Sequence, residues 1–359
     1  MMGMAGKQRI GVLTFHRCIN YGSYWQARAL VEGLRERGHD AELLDHRNDR
    51  VTSAEWRCAF QPTLPERTPR ADFPLYAAKT RRFLQAFNQL PESAPFPLDA
   101  PALPQTYDAV VVGSDEVWNL SHPWYGGKEI FYGHGLGSAR LVSYAASFGN
   151  YSCHWGISDE LAGRLKRFDQ LSVRDENSYW LVQGATRRDP AMVLDPVLQW
   201  PDVSAAELPS DRQPYALLYG HGFPDWYLQA VRVAADKRAL RLISIGYRTA
   251  IADEQLLDAG PLEFAQVMAG ASAVATNFFH GSVFALRHSK PFAAVSTPYR
   301  HNKLRDLTTA TGCEERLILE EPAEGLIVDL LSRPPGEAVE ARIAELRRQS
   351  HAFLDGALG

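Results

Sequence analysis

The chain has 359 residues, 45% of them apolar and 22% charged, with a formal net charge of −4. That length has room for two domains with sizeable cores, and the composition is ordinary for a globular protein. The weak acidic balance supplies no basic field for nucleic acid, no apolar run approaches the ~20 residues of a membrane span, and Met1 to Lys7 lacks the apolar stretch of a signal peptide.

Arg9 to Phe15 reads as a buried strand. Ser23 to Arg37 follows as a helix with Tyr24, Ala27, Leu30, Val31 and Leu34 on one face, Gly38 ends it, and Ala41 to Asp45 reads as a second strand. This βαβ opening predicts a doubly wound α/β sheet. A proline-rich excursion over 61–104 holds one helical island, Tyr76 to Leu90, whose stripe of Phe83, Leu84 and Phe87 is expected to pack on the first domain. Tyr107 to Val112 and Arg140 to Phe148 read as strands, Asp159 to Asp169 as a helix, Leu171 to Val173 as a short strand and Asp175 to Gln183 as a helix. The composition breaks at Leu198 to Asp202 and stays polar to Pro214, which places a domain boundary there and divides the chain into 1–200 and 201–359.

The alternation then restarts. Strands are expected over Tyr215–Tyr219, Leu242–Ile245, Ser272–Ala275 and Phe292–Val295. Helices are expected over Pro224–Lys237, Pro261–Ala269, Ser282–Arg287 and Asn302–Thr311, with two more, Glu324–Leu331 and Glu337–Phe353, closing the chain. Two α/β domains facing each other across a cleft are the simplest architecture, and such clefts are the default place for a ligand. The four cysteines, Cys18, Cys58, Cys153 and Cys313, lie far apart without metal-ligand spacing, so the sequence predicts a reducing, cytoplasmic setting and no metal.

Polar motifs collect where strands end, the edge at which open α/β sheets bind ligands. Asn20-Tyr21-Gly22-Ser23-Tyr24-Trp25-Gln26 follows the first strand; its glycine allows close backbone approach, yet it is neither a dinucleotide fingerprint nor a P-loop. Its plain structural reading is a helix start, with Asn20 or Ser23 as cap and Trp25 as core. Ser114, Asp115 and Glu116 follow the next strong strand, where Asp115 could orient a hydroxyl, act as base, or simply shape a turn. Arg174 offers a fork for carboxylate or phosphate, or a salt bridge to Asp175, Glu176 or another helix. Arg300, His301 and Lys303 gather at a fourth strand end, where they could equally be a solvated helix start. Asn277 and His280 sit in Thr276-Asn277-Phe278-Phe279-His280-Gly281, between a strand and a helix. A helix start suits an anion, and a histidine there can carry a proton or merely cap the helix. Together these groups suit an anionic, phosphorylated donor and a hydroxylated acceptor.

In this order, Asn20-Tyr21-Gly22 with Gln26, Val112-Gly113-Ser114-Asp115-Glu116-Val117-Trp118, Ser172-Val173-Arg174, Asp195-Pro196, Gly260 to Phe264, Thr276-Asn277 with Phe279-His280-Gly281, Lys290-Pro291-Phe292 and Arg300 with Lys303 resemble the polysaccharide pyruvyl transferase family over roughly Ile10 to Leu307. The resemblance implies two Rossmann-like domains similar to B-type glycosyltransferases. It implies transfer of an enolpyruvyl-derived group from phosphoenolpyruvate to two sugar hydroxyls, with no cofactor. His280 would be the catalytic histidine, Arg174 the grip on the donor's anionic end, and Asp115 the acid near the acceptor. Asn20, Tyr21, Gly22, Gln26, Ser114, Asn277, Arg300, His301 and Lys303 would line the substrates. A lipid-linked acceptor would be met at the membrane surface. Phe278 departs from the family pattern, since some members carry an arginine there, and this shifts the grip on phosphate toward Arg300, His301 or Lys303. Glu116, where glutamine is common, and Arg28, where an aromatic is frequent, depart as well. A nucleotide-sugar glycosyltransferase, or a non-catalytic sugar- or nucleotide-binding protein, would use the same architecture; His280, Arg174 and Asp115 together argue against the latter.

Overall fold

The computed structural model describes residues 6–137, 139–203, 213–298 and 300–359. In chain order the first half holds β1 (Arg9–Leu13), α1 (Tyr21–Glu36), β2 (Asp40–Leu43), β3 (His46–Arg47), α2 (Asp49–Phe60), α3 (Phe73–Phe87), β4 (Phe96–Pro97), β5 (Ala109–Val112), β6 (Arg140–Ser143), α4 (Asp159–Leu165), β7 (Ser172–Val173), α5 (Glu176–Thr186), β8 (Ala191–Met192) and α6 (Pro196–Gln199). The second holds β9 (Tyr215–Tyr219), α7 (Asp225–Lys237), β10 (Arg241–Ile245), β11 (Glu254–Leu256), α8 (Pro261–Gly270), β12 (Ala273–Thr276), α9 (Phe279–Arg287), β13 (Phe292–Val295), α10 (His301–Thr311), β14 (Leu317–Ile318), α11 (Leu326–Leu330) and α12 (Glu337–Leu358).

The chain forms two compact units. Unit one comprises Met1–Glu55, Gln89–Val203 and Ala344–Gly359; unit two comprises Trp56–Asn88 and Ser204–Ile343. The sheet of unit one runs β2-β1-β5-β6, all parallel. That of unit two runs β11-β10-β9-β12-β13-β14, also all parallel. Parallel sheets are covered by helices on both faces, so their strands read as continuous apolar runs. Ala109–Val112 and Tyr215–Tyr219 are such runs, buried at every residue.

In each sheet the strand order reverses at one point, between β1 and β5 in unit one and between β9 and β12 in unit two. A crevice opens at the carboxyl ends of the strands at such a point.

Two segments fall differently from the expected division at residue 200. The helical island α3, expected on the first domain, belongs to unit two. Arg82 on α3 donates to the backbone oxygen and the carboxylate of Asp258 at 2.6 and 2.9 Å, and Arg248 donates to both oxygens of Asp72 at 2.7 and 2.6 Å. The end of α12, expected in the second domain, belongs to unit one. There the Leu194 N–H donates to Ser350 Oγ at 2.9 Å and Arg347 Nε to the Leu198 oxygen at 2.7 Å. The polar stretch expected to link the domains falls largely on 204–212, outside the described residues, as do Met1 to Ala5 and Tyr299.

Candidate functional site

At the reversal point of unit one, Asn20 caps α1, its side-chain oxygen accepting the Ser23 N–H at 3.2 Å. That is the structural role the sequence allowed for it. Tyr21, Gly22 and Gln26 are buried. The amide of Gln26 donates to Thr14 Oγ1 at 3.0 Å and to the Ser23 oxygen at 2.9 Å, which binds α1 to the end of β1. These bonds fix the start of α1 at the carboxyl end of β1.

Asp115 follows β5 with a positive φ of 71°, a left-handed conformation that costs a non-glycine residue about 1–2 kcal/mol. Ser23 Oγ donates to its Oδ2 at 2.8 Å and Arg174 Nη2 to its Oδ1 at 3.1 Å. The other arm of Arg174 donates to Asp195 Oδ2 at 2.7 Å and reaches Ser114 Oγ at 3.3 Å. Asp195 also caps α6, accepting the Val197 N–H at 3.0 Å.

The Arg174 side chain is 2% exposed. Burial pushes its pKa down, but the Asp195 and Asp115 carboxylates outweigh that and raise it. Both Nη atoms of Arg174 thus bond groups of unit one and orient the Asp115 and Asp195 carboxylates, the salt-bridge role that the sequence also allowed for it. Ser114 is fully buried.

Sequence reasoning missed a neighbour of this site. Glu55 on α2 accepts from the Ile19 N–H at 3.2 Å and Trp124 Nε1 at 3.1 Å. Burial pushes its carboxyl up, against hydrogen bonds from Cys18, Ile19 and Trp124, and the charge of Asp115 pushes the same way. No motif marks Glu55, because α2 is a weakly apolar helix and only its fold position is informative.

At the reversal point of unit two, His280 sits in the first turn of α9, half-buried. Thr276 Oγ1 donates to the Tyr219 oxygen at 2.6 Å and accepts the Phe278 N–H at 3.0 Å, so one hydroxyl joins β9, β12 and the start of α9. Gly281 packs directly on the Thr276 side chain, where a Cβ would overlap it. Asn277 is fully buried and donates from Nδ2 to the His221 oxygen at 2.7 Å.

Phe278 lies within an aromatic group. Its ring centroid is 4.8 Å from Tyr219, 5.2 Å from Tyr247 and 5.6 Å from His221. The Arg300 guanidinium lies over the Phe278 ring at 4.3 Å and donates to His221 Nε2 at 3.2 Å. An accepting Nε2 leaves the His221 proton on Nδ1. Burial and the adjacent Arg300 charge hold His221 down at about 4, so it is neutral at pH 7.

His301 bonds Ser296 through Nδ1 at 3.1 Å, and Lys303 follows in the first turn of α10. Asn277, Phe278, His221 and Arg300 are therefore brought together at one edge, with His280 in the adjoining helix turn. His221 and Tyr247 escaped the sequence reading, although the glycines beside them, Gly220 and Gly246, stand just past strongly apolar strands.

Among the described residues no group of three His, Cys, Asp or Glu side chains is placed to hold a metal ion, and no helix is long and apolar enough to cross a membrane.

The sequence model of the polysaccharide pyruvyl transferase family matches residues 20–298. The chain belongs to that family. It is therefore a transferase by family, and both strand-end sites, from Asn20 to His280, fall inside the matched span. No curated protein matches the chain.

Among solved structures, UDP-GlcNAc 2-epimerase from Methanocaldococcus jannaschii is 12% identical with a TM-score of 0.50, covering 94% of this chain and 99% of that one. The Neisseria meningitidis UDP-GlcNAc 2-epimerase bound to UDP-GlcNAc is 10% identical with a TM-score of 0.50, covering 94% and 98%. An O-GlcNAc transferase mutant from Thermobaculum terrenum is 14% identical with a TM-score of 0.42; 99% of this chain spans only 64% of that one. At these identities the likeness to the epimerases shows the fold, two Rossmann-like lobes of the kind found in B-type glycosyltransferases.

Proposed function

We propose that this family member transfers an enolpyruvyl-derived group from phosphoenolpyruvate to a sugar, forming a pyruvate ketal across two hydroxyls. The observation that carries the reading is Arg300 over Phe278. Some family members carry an arginine at the Phe278 position. Here the aromatic ring draws a guanidinium from the start of α10 to the same place, so the anion-binding charge is kept although the residue is changed.

The start of α9 adds the positive end of the helix dipole, which favours a phosphate or carboxylate. In this reading Arg300 and the α9 terminus hold the donor, and His280 protonates the methylene carbon. The first hydroxyl oxygen bonds to the central carbon. The C–O bond to phosphate then breaks, phosphate leaves with the bonding pair, and the second hydroxyl closes the ketal. The first hydroxyl's proton goes to a base and from it to solvent, which reprotonates His280, and the second departs with phosphate. Asp115, fixed by Arg174 and Ser23, is the proposed base toward an acceptor hydroxyl.

A second reading is transfer from, or onto, a nucleotide-linked sugar. The group of Tyr219, Tyr247 and Phe278 supports it, since aromatic faces suit a base or sugar ring, and the epimerases that share the fold are named for UDP-GlcNAc.

Incubation with candidate glycan acceptors separates the two readings. Pyruvyl transfer releases inorganic phosphate and adds the ketal mass to the acceptor, and His280→Ala abolishes both while the far-UV spectrum is unchanged. Release of UDP from a sugar nucleotide, with no phosphate released from phosphoenolpyruvate, supports the second reading instead. Normal pyruvyl transfer by His280→Ala contradicts its proposed role as proton donor.

A further inference from the structure

Among the described residues, the large apolar side chains that unit one leaves exposed are Trp155 at 66%, Trp180 at 52% and Met192 at 39%. One of these, Trp180, lines a groove. The groove has a volume of about 560 Å³ and runs between α4 and α5, lined by Cys153, Ile157, Asp159, Lys166, Trp180 and Arg187 among others. The segment 153–157 forms one wall through Cys153, Gly156 and Ile157.

That wall is built rigidly. The Cys153 N–H donates to Asn177 Oδ1 at 2.8 Å, Asn177 Nδ2 donates to the Tyr151 oxygen at 2.8 Å, and the Tyr151 hydroxyl donates to the Gly156 oxygen at 2.8 Å. The Trp155 ring stands edge-on to Tyr151 at 5.1 Å, and Trp180 Nε1 donates to Glu176 Oε1 at 3.3 Å. Asn177, which holds the lining residue Cys153, lies in the first turn of α5 just after Arg174, whose Nη2 bonds Asp115, so the Cys153 end of the groove lies toward that carboxylate.

We infer that this groove is a binding site for an oligosaccharide, an extended subsite for the sugar chain. The inference rests on the sugar-acceptor reading. An exposed indole face takes the flat C–H face of a pyranose, and flanking charged side chains bond its hydroxyls. The groove pairs the Trp180 face with Asp159, Lys166 and Arg187, a polar rim suited to hydroxyl groups and unsuited to a lipid tail. Its concave shape fits a chain better than a flat protein face. Pyranoses with equatorial substituents and β-linkages present the flattest C–H faces, so they are the class it takes.

Full-length protein, without donor, is titrated with cellotetraose, chitotetraose and glucose and followed by tryptophan fluorescence and ligand-observed NMR. At least one tetrasaccharide binds ten-fold or more tighter than glucose, Trp180→Ala loses that preference, and Trp180→Phe retains most of it. Thermal melts of the variants confirm folding. Failure of both tetrasaccharides to bind, or binding that Trp180→Ala leaves unchanged, overturns the inference. So does a Trp180-dependent dimer in sedimentation, or Trp180-dependent binding to phosphatidylglycerol vesicles, without tetrasaccharide binding. Because no donor is present, these outcomes leave the transfer chemistry to its own assay.

Discussion

Arg300 over the Phe278 ring is a contact of a kind worth about 0.5–2 kcal/mol, depending on how dry it is. Phe278→Ala removes the ring that holds the guanidinium, so phosphoenolpyruvate affinity falls several-fold by calorimetry, while Phe278→Arg restores a cation there and loses less. Arg174 sets a different kind of test. Arg174→Met leaves Asp115 and Asp195 buried without their cation, which costs about 3–5 kcal/mol and lowers the melting temperature by several degrees. An unchanged melting temperature contradicts the assigned pairing.

His46 makes the fold sensitive to acid. Burial, then the neighbouring His16, holds it down at about 3. Once unfolded it titrates near 6.5. Between those values the unfolded chain binds the extra proton, so this contribution to stability is complete above about pH 6.5 and declines as pH falls toward 3, by roughly 1 kcal/mol per unit. Asp45 extends the loss. Burial raises its carboxyl, but His16 and Arg47 outweigh that and hold it below the usual carboxylate range, so its contribution is lost at still lower pH. His46→Gln keeps a donor for the Thr14 oxygen and flattens the fall of melting temperature between pH 6.5 and 4; an unchanged slope contradicts the assignment.

At the scale of elements, the β12–α9 junction is positioned by Thr276 and Gly281. Gly281→Ala drives a methyl into the Thr276 side chain and displaces the hydroxyl that joins β9 to α9. Destabilisation of about 1–3 kcal/mol follows, together with loss of donor binding larger than the stability loss explains. Retention of full donor affinity contradicts this positioning role.

These elements differ in how far the sequence reveals them. Tyr215–Tyr219 and Phe292–Val295 stand at their expected bounds because parallel strands buried on both faces leave unbroken apolar runs. The helix bearing His280 begins three residues earlier than periodicity indicates, because Phe279-His280-Gly281 has no helical pattern of its own and is held by Thr276. β3, β4 and β8 are two residues each, too short to carry any period. The strand-end positions of Asp115, Arg174 and His280 were legible. The partners of Arg174 were not, since Asp115 and Asp195 lie 59 and 21 residues away along the chain.

At the scale of the whole molecule, each unit depends on a segment distant in sequence. Ala344–Gly359 completes unit one by covering Leu194, Leu198 and Tyr144. Its deletion therefore lowers the unfolding temperature and exposes apolar surface, seen as dye binding; an unaltered thermal profile contradicts that dependence. Trp56–Asn88 joins unit two through Arg82 and Asp72, contacts that no local pattern announces.

In the proposed reaction, unit two holds a phosphate-bearing donor at the start of α9 with the help of Arg300. Phosphorus NMR of phosphoenolpyruvate titrated with the full-length protein tests it most directly, because no acceptor is needed. The wild-type protein broadens and shifts the resonance, and Arg300→Ala weakens that binding ten-fold or more while His280→Ala leaves it largely intact. A resonance unaffected by the wild-type protein, or affected equally by Arg300→Ala, contradicts the claim.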